Sequence, residues 1–161
     1  MIKKEYITIV KEYETAAELP AEFQRIIIDS KNASMRAYSP YSGFNVGASV
    51  LLENGEIVSG NNQENAAYPS GLCAERVAIF YANSKYPEIP VKAIAICAFN
   101  KNGFLKTPIT PCGSCRQVIL ETELRFNTPI AVILIGQKTI QIVENISQLL
   151  PLSFKKSDLI E

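Results

Sequence analysis

Two short stretches carry the residues able to do chemistry: Cys73-Ala-Glu75-Arg76 within "PSGLCAERVAIFYA" (69–82), and Cys112-Gly-Ser-Cys115 within "PCGSCRQ" (111–117). The first opens an apolar helical pattern (Leu72, Val77, Ala78, Phe80, Tyr81) with a thiol and a carboxylate in its first turn. A carboxyl group entering a core must neutralise or find a partner. By itself the Cys112-x-x-Cys115 pair fits either a redox dithiol at a helix start or half of a metal shell. Cys73 adds a third thiol at the start of another helix, where the positive end of the helix dipole favours thiolate. Three thiolates with no histidine anywhere in the chain make a Cys₃ shell with an open fourth position. That is the arrangement of a catalytic zinc rather than of a closed structural one. Cys97, inside the apolar run "AIAICAF", is the one remaining thiol and reads as a small buried hydrophobe. Glu75, two residues from Cys73, is placed to carry a proton at an open metal site, whereas an isolated surface carboxylate would have no such neighbour.

Composition narrows the partners. The chain has 161 residues, enough for one domain that buries roughly 70% of its unfolded surface. Sixteen basic residues balance sixteen acidic ones, without a basic block, which disfavours a long nucleic-acid polymer as ligand and suits a small, weakly charged one. No apolar run approaches the ~20 residues of a membrane span, and "MIKKEYITIVKEYE" lacks a signal-peptide core. The chain reads as cytoplasmic, where cysteines serve as ligands or redox thiols more often than as disulfides.

The elements that must position these residues follow from periodicity. "YITIVKEYE" alternates as an edge strand, and Leu19-Pro20 opens a helical pattern that runs to about Tyr38 before Ser39-Pro40. "FNVGASVLLENGEIVSGNN" predicts a hairpin around Asn54-Gly55, a pair suited to a type I′ turn. "VKAIAICAF" (91–99) reads as a strand covered on both faces. "PIAVILIG" and "TIQIVE" are two more strands, and "ISQLLPLSF" a short terminal helix and tail. The order α-β-β-α-β-α-β-β-α predicts a three-layer α/β/α sandwich around a mixed five-stranded sheet. Residues 19–161 form one catalytic domain in this reading. Residues 1–18 are an N-terminal extension that adds an edge strand or caps a subunit contact.

Cys-x-Glu followed by Pro-Cys-x-x-Cys is the signature of the zinc deaminases. With cysteine in the first ligand position, and with "SPYSGFNVGA" (39–48), "NQEN" (62–65) and "LLPLSF" (149–154) in order, the chain resembles the cytidine deaminase family from about Tyr38 to Leu159. The resemblance implies one zinc per chain on Cys73, Cys112 and Cys115, activating water for attack at C4 of a cytosine ring. Glu75 would move the proton from that water to N3 and then to the departing ammonia. Arg76 would donate hydrogen bonds to the ligand sulfurs, where otherwise it would be a solvated helix arginine. Asn62 and Glu64 would bind the sugar, Phe44 would lie beside the base, and Tyr68 and Phe154 would reach sites of neighbouring subunits. Without the family motifs, "NNQEN" is a polar turn, and Phe44 and Phe154 are core residues. The implied activity is hydrolytic deamination of cytidine and 2′-deoxycytidine in pyrimidine salvage by a homotetramer, with deamination of another aminopyrimidine nucleoside as the alternative. The tail "FKKSDL" and residues 1–18 depart from the family's pattern.

Overall fold

The computed structural model describes residues 1–159. Its strands are β1 (Lys11–Tyr13), β2 (Asn45–Leu52), β3 (Ile57–Asn61), β4 (Val91–Asn100), β5 (Gly103–Phe104), β6 (Ala131–Ile135) and β7 (Ile140–Val143). They form one mixed sheet in the order β1-β7-β6-β4-β2-β3, with the two-residue β5 pairing beside the end of β4. Only β4 and β6 run parallel. The five strands expected from the sequence are all present, and β1 and β5 bring the sheet to seven.

Alternation along β4 sorts the core into two faces. Ile94 and Ile96 face helices α2 (Ala74–Lys85) and α3 (Gly113–Phe126), in a cluster with Ala78, Ile79, Ile119 and Leu134. Ala93, Ala95 and Cys97 face the other way, toward Ile26 and Ile27 of helix α1 (Ala21–Ser34). This is the expected α/β/α sandwich. Small residues set the spacing of its layers. A Cβ on Gly47 would lie 2.0 Å from the Ser30 carbonyl oxygen of α1. A Cβ on Gly60 would lie 2.6 Å from the Ala78 nitrogen of α2.

Four local expectations are corrected. The hairpin loop has three residues, Glu53–Gly55, with the Gly55 N–H donating to the Leu52 carbonyl at 2.9 Å and Gly55 at φ 84°. Asn54 keeps a negative φ, so the turn is a type I turn closed by a left-handed glycine, not type I′. α1 stops at Ser34 rather than Tyr38, because Tyr38 is drawn off to bond with the 62–64 segment. The terminal helix is instead a single 3₁₀ turn, Ile146–Gln148, capped by the Asn145 side chain, and a second such turn occupies Lys156–Leu159. The edge strand within 6–14 is confined to Lys11–Tyr13, paired with Ile140–Ile142.

Candidate active site

The loops after β3 are tied so that Cys73 arrives beside Asn62. The Tyr38 N–H donates to the Asn62 carbonyl at 3.0 Å, and the Glu64 N–H to the Tyr38 carbonyl at 2.8 Å. Gln63 and Leu72 exchange two backbone hydrogen bonds of 2.9 Å, closing the loop 64–71 at its base. The next residue, Cys73, is the N-cap of α2, and Cys112 is the N-cap of α3. An N-cap is usually Ser, Thr, Asp or Asn, whose oxygen caps the first turn. Here neither sulfur makes a capping bond, and both turn toward each other at 3.8 Å. Cys115, in the first turn of α3, is buried with its sulfur 3.5 Å from that of Cys112. All three sulfurs lie within 4.8 Å of one another, so they fit one metal ion of zinc's preference for thiolate ligands.

The loop before α3 is held by Arg116, which donates to the carbonyls of Pro111 and Leu149, each at 2.8 Å, and to Thr110 Oγ1 at 3.1 Å. Glu123, buried at the other end of α3, accepts from the backbone of Ile130 at 2.8 Å and of Ile146 at 2.9 Å. Burial pushes its carboxyl pKa up. The sequence reading missed both residues. Only the position of Arg116 directly after Cys115 hinted at a role.

Glu75 is 5% exposed. Burial pushes its carboxyl above the usual range, and the neighbouring Cys73 pushes the same way. The Cys73 thiol is pulled down to about 5 by hydrogen bonding with the Cys115 thiol, then with Arg76 and Cys112. Cys115 moves upward, as the thiol that shares its proton with Cys73 and lies buried near Glu75. Arg76 reaches Cys73 Sγ at 3.7 Å and the Gly71 carbonyl at 3.4 Å through one guanidinium nitrogen, while its buried Nε has no partner among the described residues. Cys97 lies on the α1 face of the sheet, away from this cluster, and burial raises its pKa. It is the buried hydrophobe the sequence suggested.

Beside the thiols opens a cavity of about 610 Å³, whose lining includes Cys73, Cys112, Glu75 and Arg76 together with Phe44, Asn62, Glu64 and Tyr68. Glu64 is exposed and accepts from the backbone N–H groups of Tyr41 (2.9 Å) and Ser42 (3.2 Å), as well as from the Ser42 hydroxyl. The Ser42 bond is the main cause that lowers its pKa. Asn62 accepts from Val46 N–H at 2.7 Å and donates to the Phe44 carbonyl at 2.9 Å, which pins the start of β2 and the Phe44 ring beside the cavity. Tyr68 is exposed and stands edge-on to Tyr41, with ring centroids 6.1 Å apart. Phe154 is not brought to this cavity. It is 59% exposed, on a tail fastened by Gln117 Nε2 to its carbonyl at 2.8 Å.

A three-layer sandwich that gathers three thiols and sets two of them and a buried carboxyl in the wall of a cavity defines a metal-binding α/β/α enzyme. The sequence model of the cytidine and deoxycytidylate deaminase zinc-binding region matches residues 22–137, so the chain belongs to that family. A cytidine deaminase of Sporosarcina psychrophila is 41% identical over 138 residues, covering 86% of this chain and 95% of that protein. Among solved structures, cytidine deaminase from Burkholderia pseudomallei matches with a TM-score of 0.68 at 35% identity, over 81% of this chain and 97% of that one. Cytidine deaminase from Mycobacterium tuberculosis matches with a TM-score of 0.66 at 28% identity, over 84% and 99%.

Proposed function

We propose that this chain catalyses the hydrolytic deamination of cytidine and 2′-deoxycytidine to the corresponding uridines and ammonia, with one zinc per chain held by Cys73, Cys112 and Cys115. The observation that carries the reading is the buried Glu75 in the wall of a cavity that Cys73 and Cys112 share with Phe44, Asn62 and Glu64. Zinc in the thiol shell supplies the Lewis acidity that makes water a nucleophile at neutral pH.

The chain's own residues account for the rest. Attack at C4 is easier once N3 carries a proton, and an amine leaves only when protonated. A single carboxyl beside both atoms serves both transfers, and the upward push of burial on Glu75 suits a group that must hold a proton between them. Arg76 offsets the negative charge of three thiolates through its bond to Cys73. Asn62 holds Phe44 in place along the base, while Glu64, pre-ordered by Tyr41 and Ser42, accepts from the sugar 3′-hydroxyl. A ligand phosphate would meet the Glu64 charge, so free nucleosides are favoured over nucleotides. The exposure of Phe154 and Tyr68 supports their use in a neighbour's site within a homotetramer. No described helix is long and apolar enough to cross a membrane, in keeping with a cytoplasmic salvage enzyme.

The test is ammonia release from cytidine together with metal analysis. Wild-type protein should carry one zinc per chain and turn over cytidine. Glu75→Gln should keep zinc and lose about 10²–10⁴-fold in rate. Full zinc with near wild-type turnover in that variant would remove Glu75 from the mechanism. A zinc-loaded wild type inert toward cytidine, but active on another aminopyrimidine nucleoside, would reassign the substrate.

A further inference from the structure

The stretch preceding β1 has no part in the site. We propose that Lys4–Glu12 is a self-recognition strand that pairs antiparallel with the same stretch of a second copy, about a twofold axis through Thr8.

The sequence "KEYITIVKE" is a palindrome in chemical type. Folded on itself in antiparallel register about Thr8, it sets Lys4 opposite Glu12, Glu5 opposite Lys11, Tyr6 opposite Val10 and Ile7 opposite Ile9. Each pair occurs twice across the axis, as a twofold contact requires. One face of the paired ribbon then carries four isoleucines flanked by two Glu5–Lys11 pairs. The other carries Tyr6, Val10 and Thr8 flanked by two Lys4–Glu12 pairs. Directly opposed residues of opposite charge, and β-branched or aromatic pairs, are the contacts that stabilise antiparallel strands.

The structure leaves this stretch ready for such a partner. Tyr6, Ile7, Ile9 and Val10 are all exposed, Ile7 at 77%. Among the described residues, the Ile9 N–H is the one backbone group of residues 4–10 with a hydrogen-bond partner, Gln148 Oε1 at 2.8 Å. The Thr8 hydroxyl donates to the Gln148 carbonyl at 2.6 Å, which fixes the stretch to the 3₁₀ turn that follows β7. Successive backbone N–H groups of an extended chain alternate between its edges. Drawn into strand geometry with Ile9 still turned inward to Gln148, the stretch would turn Thr8 and Val10 outward, the orientation in which a pair centred on Thr8 is hydrogen-bonded. Beyond Thr8 the stretch continues into β1, whose outer edge has no neighbouring strand among the described residues, so the paired ribbon would join two sheets into one. The charged residues are free enough to pair. Glu5 touches only Lys3 at 2.6 Å, and Lys11 and Glu12 touch Glu144 and Gln141 through exposed side chains.

Cross-linking tests this whatever the assembly of the rest of the molecule. Opposed residues in a hydrogen-bonded antiparallel pair have Cα atoms about 5.5 Å apart, within disulfide reach. Thr8→Cys should therefore give covalent dimers under mild oxidation, above the background set by the wild-type chain with its four cysteines. In that background, Lys4→Glu with Glu5→Lys should cut the dimer yield at least about tenfold, because all four charge pairs become like-signed. Lys11→Glu with Glu12→Lys should do the same. Mixing the two swapped proteins restores every pair, and a heterodimer identified by mass should form at the original yield. Dimer yields unchanged by either swap, no dimer from Thr8→Cys alone, or no heterodimer in the mixture would each overturn the proposal. The Lys4 and Glu5 swap lies outside every helix and strand, so its result stands even if the swap within β1 disturbs the fold.

Discussion

Gly60→Ala should disable the enzyme from a position that touches no substrate. The added Cβ would sit 2.6 Å from the Ala78 nitrogen, 2.9 Å from the Ala74 carbonyl oxygen and 3.0 Å from Val77 Cβ. The two closest atoms are helix backbone, so no side chain can rotate away, and α2 must move off the sheet by about 1 Å. Overpacking of this kind costs about 1–3 kcal/mol of stability. α2 carries Cys73 at its N-cap and Glu75 in its first turn, and a misplacement of about 1 Å at reacting groups costs about 10²-fold in rate. The assay is cytidine turnover with zinc content, alongside a urea melt of the same preparation. Two controls locate the effect. Gly47→Ala meets the Ser30 carbonyl at 2.0 Å, so it should lose at least as much stability while displacing α1, which carries no ligand. Gly113→Ala meets nothing within 4 Å and should leave both stability and rate nearly unchanged. A Gly60→Ala protein that melts lower yet keeps full turnover per zinc would refute the claim that α2 spacing sets the catalytic geometry.

Three further outcomes follow from the site. Cys115→Ala should lose the metal while Cys97→Ala keeps it, since Cys97 faces α1; an empty site in the Cys97 variant, by metal analysis, would contradict the three-thiol shell. Glu64→Ala should lower kcat/KM for cytidine and 2′-deoxycytidine by roughly 10- to 150-fold but spare 3′-deoxycytidine, the expected loss of one hydrogen bond to a charged group; equal losses on all three would assign Glu64 to loop structure instead. The carboxyl of Glu123 has its pKa raised by burial, so the folded state holds this proton more tightly than the unfolded one. Its contribution is full below the unfolded value near 4.5 and is lost as pH rises through the folded value. Thermal melts of wild type and Glu123→Gln should therefore show the wild type's relative stability declining from about pH 4.5 toward neutrality, and a pH-independent difference would count against it.

What the sequence made legible is what depends on residue type and short spacing. Cys73-x-Glu75 and Cys112-x-x-Cys115 can be read because each set lies within about one helical turn, and because thiols without histidine restrict the metal chemistry. Cys97 was legible as a small buried hydrophobe from its place in an apolar run, whereas the face it takes, toward α1, is set by the register of β4 in the sheet. The turn at Asn54-Gly55 was misread because loop length, settled by how β2 and β3 register, decides the turn type. The work of Arg116 and Glu123 was invisible, since their partners lie 33 and 23 residues away at their farthest. The resemblance to the family implied a place beside the sugar for Asn62. Its hold on Phe44 is a matter of tertiary pairing, which no local pattern announces.

The strand order also has a practical side. The cavity lies where β2 begins and β3 ends, whereas β1 is the outermost strand of the opposite edge, five inter-strand steps or about 24 Å from β3. The pairing of Tyr13 with Ile140 and Lys11 with Ile142, followed through β7 and β6 to β4, puts the Lys11 end of β1 at the end of the sheet away from the cavity. β1 thus enters the sheet at the corner diagonal to the cavity mouth. A fluorophore attached to an exposed side chain of β1, such as that of Lys11, would sit across the whole sheet from the cavity. A protein labelled on β1 should keep the substrate path open without any redesign of the loops.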